Sequence, residues 1–143
     1  DNSTTAMTGH QPHPGTGRTV MGEIVQKINI EQVLRGIGVT EIETINPLEL
    51  EASVSCVKRM AEKSGVRAII FKAPCIAVTK PKAPLHVNQD SCIGCKKCIR
   101  DLGCPAIVMN DGKICIDASM CTGCHLCSQV CPVCAIAGGD DHE

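Results

Sequence analysis

Twelve cysteines are the residues of this 143-residue chain whose type and spacing point most directly to chemistry. Ten of them lie between Cys92 and Cys134, and six of these form two CxxCxxC runs, CIGCKKC from Cys92 and CTGCHLC from Cys121. Each run is followed by another cysteine that stands directly before a proline, Cys104 and Cys131. A regular CxxC rhythm is typical of metal ligation, because thiolates are strong ligands for soft metals. The sequence therefore predicts two metal centres in the second part of the chain.

The short spacing within each run indicates which kind of centre it holds. Three thiolates on a tightly turning loop can reach three corners of one cubane, so a distant cysteine must supply the fourth corner. This is the pattern of bacterial-type ferredoxins, in which the fourth cysteine of one run ligates the other [4Fe-4S] cluster. The predicted ligand sets are Cys92, Cys95, Cys98 and Cys131 for the first cluster, and Cys121, Cys124, Cys127 and Cys104 for the second.

Two other uses of these cysteines are weaker alternatives. Zinc also binds CxxC pairs, but it typically takes two pairs and not two triplets that each have a partner CP. Disulfides fit the regular spacing less well than zinc or iron–sulfur clusters do. The four remaining cysteines are interpreted as packing thiols at Cys56 and Cys115, as a packing or redox-active thiol at Cys75, and as a neighbour of a cluster at Cys134.

The composition excludes two classes of function. The formal net charge is −1, there is no Trp or Tyr and there is one Phe, so the chain has neither a basic stripe nor stacking rings for nucleic acid. The apolar runs VRAIIF and CIAV are far shorter than the roughly 20 residues that span a bilayer. No signal-peptide pattern is present at the amino terminus. We therefore expect a cytoplasmic protein in a reducing compartment that binds neither nucleic acid nor membrane.

The residues before the cysteine runs predict alternating helices and strands. After a long loop over the first 29 residues, a short helix begins at Ile30, and GVTEIETI predicts a strand. Asn46 and Pro47 predict the start of a second helix, as N-cap and first helical residue. We expect its inner face to contain Leu50, Val54, Val57 and Ala61. The run VRAIIFKA predicts a second strand, so this part is an α/β layer with a mostly parallel sheet.

A proline- and lysine-rich segment, TKPKAPLH at residues 79–86, is typical of a linker between domains. We place the boundary within it. Residues 1–84 form the α/β domain, and residues 85–143 form an α+β ferredoxin-type domain with two [4Fe-4S] clusters. Inside the second domain, Asn-Asp-Gly at residues 110–112 separates two apolar runs and predicts a β-hairpin.

The opening residues, DNSTTAMTGHQPHPGTGR, add a resemblance to the cysteine pattern. Together with the x5 spacing before CPAI, they resemble the carboxyl-terminal part of the alpha subunit of indolepyruvate ferredoxin oxidoreductases. That family belongs to the thiamin diphosphate-dependent 2-oxoacid:ferredoxin oxidoreductases. The resemblance covers essentially the whole chain and implies that residues 1–84 are the carboxyl-terminal portion of a thiamin diphosphate-binding domain.

The resemblance also implies roles for residues of the opening loop. Asn2 would give a side-chain oxygen, and Thr4 a backbone carbonyl oxygen, to the Mg²⁺ that holds the diphosphate. The loop beside the cofactor and the substrate would consist of Met7, Thr8, Gly9, His10 and Gln11. For His10, the candidate catalytic residue, proton exchange with the substrate and orientation of the loop are equally open. Without the resemblance, a stretch rich in Gly, Thr and His is usually only a loop.

The activity that the resemblance implies is oxidative decarboxylation of aryl 2-oxoacids such as indolepyruvate. Coenzyme A would accept the acyl group, and electrons would pass singly through the two clusters to an external ferredoxin. A beta subunit would complete the enzyme. The family's GDG motif is not in this sequence, so we expect a fragment that begins partway through the cofactor domain and is inactive alone. Cys134 also departs from the family, which often has Gly at this position of a CPxGAI ending.

Two rival interpretations belong to other classes of protein. The chain is an electron carrier in the first, and its α/β part is only a docking domain for a different oxidoreductase. In the second it is an interaction module that binds zinc. Colour separates the zinc module from the others, because iron–sulfur proteins are brown.

Overall fold

The computed structural model describes residues 1–5, 7 and 9–138. The chain divides into two compact units, Asp1–Thr79 and Lys80–Glu143. Most of the predicted linker, residues 79–86, therefore groups with the second unit. Among the described residues, no helix combines the length and the apolar character needed to cross a membrane.

The first unit is a small α/β layer. Its elements are α1 (Ile30–Gly36), β1 (Glu41–Ile45), α2 (Leu50–Glu62) and β2 (Arg67–Phe71), with 3-10 turns at Pro14–Thr16 and Ile76–Val78. The two strands are parallel, with Glu41 opposite Arg67 and Ile45 opposite Phe71. A parallel pair needs a crossover, which α2 supplies. The predicted helix at Ile30, both strands and the parallel pairing are confirmed.

The predicted start of α2 was wrong. The helix begins at Leu50, and its N-cap residue, Glu49, makes no side-chain capping hydrogen bond. Asn46 instead forms a turn ahead of the helix, where its Oδ1 accepts a hydrogen bond from the Leu48 N–H at 3.0 Å. The Ser53 hydroxyl donates to the Asn46 carbonyl oxygen at 3.0 Å. A residue that binds its own neighbours in this way makes a turn and not a cap.

The predicted inner face of α2 was also wrong. Its buried residues are Ser53, Cys56 and Met60, while Val54 and Val57 are 44% and 45% exposed. The helix buries Cys56 and Met60 instead, and this rotation also lets two ion pairs form between helix and strand. They are Arg59–Glu43 and Lys63–Glu41, each at 2.5 Å. Cys56 is fully buried, as expected of a packing thiol.

The second unit consists of two similar halves. Its elements are β3 (Leu85–Val87), α3 (Lys97–Leu102), β4 (Ile107–Asn110), β5 (Lys113–Ile116), α4 (Leu126–Val130) and β6 (Ile136–Gly138). Each half is a strand, a cysteine run, a short helix and another strand. The strands β3 and β6 pair antiparallel, as do β4 and β5. An α+β fold of ferredoxin type results.

The hairpin between β4 and β5 is confirmed and joins the two halves. Asp111 and Gly112 both have positive φ, 47° and 76°. Two successive positive φ angles are the signature of a type I′ turn, whose twist matches that of the strands it connects. The buried apolar residues of this unit are Leu85, Cys98, Ala106, Ile107, Ile114, Cys127, Val130, Ala135 and Ile136.

The buried face of α2 leads to a prediction about the first unit. Met60→Ala should destabilise it by about 3 kcal/mol, because Met60 is 1% exposed and its truncation leaves a cavity. Val57→Ala, on the same helix but 45% exposed, should cost less than about 1 kcal/mol. Hydrogen exchange of the α2 amides in the full chain measures both changes. Equal losses of protection would show that Val57 lies in the core as the sequence indicated.

Candidate metal centre

Two cavities in the second unit bring the predicted cysteines together. One is lined by Cys92, Cys95, Cys98 and Cys131. The other is lined by Cys104, Cys121, Cys124 and Cys127. Each cavity thus contains the three cysteines of one run and the fourth cysteine that follows the other run. Apart from Lys96 in the first cavity and Thr122 in the second, the remaining lining residues are apolar.

Electrostatics at the sulfurs reflects the same grouping. Burial raises the pKa of the Cys98 thiol, and negative charge on Cys131 and Cys95 raises it further. In the other cavity, burial together with the charges of Cys124, Cys121 and Cys104 raises the pKa of Cys127 to about 11. Thiolates that raise one another's pKa are those that a cationic iron centre would stabilise.

The backbone of the two runs follows the same path. Gly94 and Gly123, the third residue of each run, have φ of 64° and 66°. Lys96 and His125, the fifth residue of each, have φ of 60° and 62° and immediately precede α3 and α4. Left-handed residues on both sides of the middle cysteine bend the chain tightly. This curvature allows three sulfurs of a seven-residue run to line one cavity.

Backbone N–H groups donate hydrogen bonds to one sulfur in each cavity. The Leu85 N–H lies 3.5 Å from Cys121 Sγ, and the Ala135 N–H lies 3.2 Å from Cys131 Sγ. Hydrogen bonds to cluster sulfurs are one of the factors that set a reduction potential. Sequence reasoning missed both donors. The only available signal was the position of Ala135, four residues after its cysteine.

The other cysteines of the second unit line neither cavity. Cys134 is exposed and has a left-handed backbone with φ 49°, a conformation that glycine adopts without strain. Cys115 was predicted to be buried but is only half-buried. Successive residues of a strand face opposite sides, so Cys115 points away from the face that buries Ile114.

Hydrogen bonds attach the opening loop of the first unit to the end of β2. The Cys75 N–H donates to the Asn2 carbonyl oxygen at 2.8 Å, and the Ala73 N–H donates to the Asp1 carbonyl oxygen at 3.1 Å. Asn2 Oδ1 accepts a hydrogen bond from the Thr4 N–H at 3.3 Å. The two predicted Mg²⁺ ligands therefore lie in one turn beside the carboxyl end of a parallel strand.

The predicted cofactor loop continues from that turn. The Thr5 N–H donates to the Gln11 carbonyl oxygen at 3.1 Å, and the hydroxyl of the buried Thr4 donates to the same oxygen at 3.3 Å. Met7, Gly9 and His10 lie in the loop that this contact closes, and all three are exposed. Thr8 lies outside the described residues.

Within the described ranges, no three His, Cys, Asp or Glu side chains converge on a point that a single metal ion would occupy. The cysteines surround cavities instead. Four cysteines around one cavity are the arrangement that a multi-iron cluster uses, because each sulfur binds a different iron.

Comparison with known families defines the class of protein. A family model described as a 4Fe-4S dicluster domain matches residues 84–132. Together with the two cavities, this match shows that the chain carries an iron–sulfur domain of ferredoxin type.

Curated proteins resemble the chain over nearly its whole length. The chain is 43% identical to indolepyruvate oxidoreductase subunit IorA of Methanothermobacter thermautotrophicus, over 95% of this chain and 22% of the relative. It is 37% identical to the proteins of the same name in Archaeoglobus fulgidus and Pyrococcus horikoshii, over 92% of this chain and 22% of each relative. The chain is thus a homologue of IorA and spans about a fifth of the length of these relatives. No solved structure matches it.

The crossed cavities predict which cluster depends on which distant cysteine. Cys131→Ser should damage the cluster held by Cys92, Cys95 and Cys98, because Cys131 lines that cavity and not the one beside its own run. Electron paramagnetic resonance of the reconstituted, reduced chain would show one cluster altered and the other intact. Cys134→Ser is the matched control and should leave both signals unchanged. Alteration of the other cluster instead would refute the crossed pairing.

The repeat also predicts unequal effects of two equivalent substitutions. A Cβ on Gly123 would lie 2.7 Å from the Ala83 carbonyl oxygen, whereas a Cβ on Gly94 would have no neighbour within 4 Å. Both glycines are left-handed, so alanine costs about 1 kcal/mol at either position. Gly123→Ala should add a steric cost and lower the melting temperature of the reconstituted chain more than Gly94→Ala. Equal shifts would mean that the contact with Ala83 is not tight in solution.

Proposed function

We propose that this chain is the electron-transferring part of an enzyme that oxidatively decarboxylates aryl 2-oxoacids such as indolepyruvate. One observation carries the electron-transferring role: each of two cavities is lined by three cysteines of one run and a fourth from the other half. The substrate class is taken from the name of the matched relatives, indolepyruvate oxidoreductase. That arrangement supports two [4Fe-4S] clusters with crossed ligation. Such clusters exchange single electrons, as the oxidation of a 2-oxoacid in two one-electron steps requires.

The first cluster would be held by Cys92, Cys95, Cys98 and Cys131, and the second by Cys121, Cys124, Cys127 and Cys104. The chain's own contribution at each cluster is to exclude water and to tune the sulfurs. The apolar lining residues exclude water. The Leu85 and Ala135 N–H groups tune the reduction potential, since hydrogen bonds to sulfur stabilise the more negative, reduced state.

The opening turn would supply part of a Mg²⁺ site. Asn2 and Thr4 offer an amide and a carbonyl oxygen, the hard ligands that Mg²⁺ prefers, beside the carboxyl end of β2. Ligands commonly bind at this edge of a parallel sheet. Thiamin diphosphate, held there through Mg²⁺, would supply the decarboxylation chemistry. Met7, Thr8, Gly9, His10 and Gln11 would face the cofactor and the substrate, with His10 orienting the loop or exchanging a proton.

The complete reaction defines the partners. Loss of the carboxylate would release carbon dioxide. The remaining acyl carbon would give up two electrons as it forms a thioester with coenzyme A, whose thiol proton is released. Two molecules of external ferredoxin would each take one electron. The residues described here would hold the clusters and part of a cofactor loop, so a beta subunit and further parts of the catalytic subunit would complete the enzyme.

Reconstitution of the full chain with iron and sulfide tests the central claim. We expect a brown protein with about eight iron atoms per chain, as two [4Fe-4S] clusters require. Cys124→Ser should lose one cluster, while Cys115→Ser, a change of the same kind outside both cavities, should lose none. A colourless chain that binds one zinc ion per cysteine run would overturn the proposal.

The opening turn predicts a weak response to thiamin diphosphate. Asn2 and Thr4 supply only neutral oxygens, whereas Mg²⁺ beside phosphates is usually held through one or two carboxylates, so titration calorimetry of the full chain should detect no tight binding. We likewise expect no oxidation of indolepyruvate with coenzyme A and an artificial acceptor. Measurable turnover by this chain alone would show that the catalytic site is contained within these residues.

A further inference from the structure

The two cysteine runs differ sharply in exposure, although their length and backbone path are the same. In the first run, Ile93, Gly94, Cys95, Lys96 and Lys97 are all exposed. Their five counterparts at residues 122–126 are buried or half-buried. The side chains of the two runs differ, but Gly94 and Gly123 are the same residue on the same backbone path. Their surroundings therefore compare what covers each run.

The second run is covered by residues 82–85, here called the strap. The Lys82 N–H donates to the Thr122 carbonyl oxygen at 3.2 Å. Gly123 lies so close to the strap that a Cβ there would be 2.7 Å from both the Ala83 carbonyl oxygen and Lys82 Cβ. The Leu85 N–H reaches Cys121 Sγ at 3.5 Å. This side of the second cavity is therefore closed to a large partner.

The first run has no such cover in the described part of the chain. A Cβ on Gly94 would meet nothing within 4 Å. Ile93 is 66% exposed and Val133 is 37% exposed, and both also line the first cavity. Each of these two apolar side chains lines the cavity on one side and contacts solvent on the other. Together they form a thin wall between the cavity and solvent. Electron transfer depends steeply on distance, so this wall offers a short path out of the first cavity.

Basic side chains surround that apolar centre. Lys96 lines the first cavity. Lys97 and Arg100 lie on α3, the helix that begins directly after Lys96. Lys97 is paired with Asp101, while Lys96 and Arg100 have no ion pair among the described residues. The matching residues of the second run and of α4 include no Lys or Arg. An apolar centre with a charged rim is the usual anatomy of a transient protein interface.

Charge alone does not select this surface. The strap and the residues before it contain Lys80 and Lys82, so positive charge also lies near the second run. Exposure makes the difference, since those lysines lie on or next to the segment that covers their cluster. They are therefore useful as a matched control.

We propose that the first cluster is the electron exit and that an acidic one-electron carrier protein docks on the surface formed by Ile93, Lys96, Arg100 and Val133. The inference rests on the proposed function, which supplies the clusters. In the step itself, the reduced first cluster loses one electron and the docked carrier gains it. No bond to a cysteine sulfur is made or broken.

The test uses the full chain reconstituted with both clusters and reduced photochemically. Stopped-flow mixing with an acidic ferredoxin gives a second-order rate constant for electron transfer. Lys96→Gln/Arg100→Gln should lower it about tenfold at low ionic strength, and the difference should disappear at high salt. Lys80→Gln/Lys82→Gln removes the same charge beside the second run and should change the rate less than about twofold.

A basic acceptor, cytochrome c, distinguishes docking from damage. Arg100→Gln alone, which keeps the cavity residue Lys96, should reduce it as fast as the parent chain or faster, because steering by charge has the opposite sign. Equal slowing with both acceptors, or greater slowing by the Lys80/Lys82 variant, would overturn the proposed exit. Failure of the parent chain to take up two clusters would overturn the proposed function, and this inference with it.

Discussion

The structure of the second unit depends on one geometric constraint: a seven-residue cysteine run presents three sulfurs to a cavity and leaves the fourth position to the other half. Cys104 and Cys131 occupy these positions. For both to cross, the halves must face each other in opposite orientations. The type I′ turn at Asp111 and Gly112 reverses the chain between them, and the β3–β6 pair closes the arrangement. The small core therefore packs between two sites, and cluster binding would add directly to its stability.

Much of this could be predicted because cysteine spacing and turn chemistry are local signals. The run lengths indicated cubane geometry, and Asn-Asp-Gly indicated a hairpin with two left-handed residues. The exposure of the runs could not be predicted in the same way. Gly94 and Gly123 occupy the same place in CxGC, and only the position of Lys82 and Ala83 in space makes one of them crowded.

The first unit shows where periodicity fails. Leu50, Val54, Val57 and Ala61 have helical spacing, yet the buried side of α2 contains Ser53, Cys56 and Met60. Spacing shows that residues share a face but not which surface covers that face. The rotation that buries Cys56 and Met60 also forms the ion pairs Arg59–Glu43 and Lys63–Glu41, which join residues far apart in the sequence. The position of the opening loop could not be predicted from periodicity either. It is attached to the end of β2 by hydrogen bonds between backbone groups, which do not depend on the side chains.

The pairing of β3 with β6 places the first strand of the iron–sulfur unit directly beside its last described strand, with Leu85 opposite Gly138. A folded unit whose two ends are adjacent can be inserted into a surface loop of another protein without pulling that loop apart. The iron–sulfur unit could therefore be inserted into other proteins. It offers protein engineers a cassette of about sixty residues, typical of the smallest domains that fold alone, through which electrons could be brought to an enzyme that has no redox centre of its own.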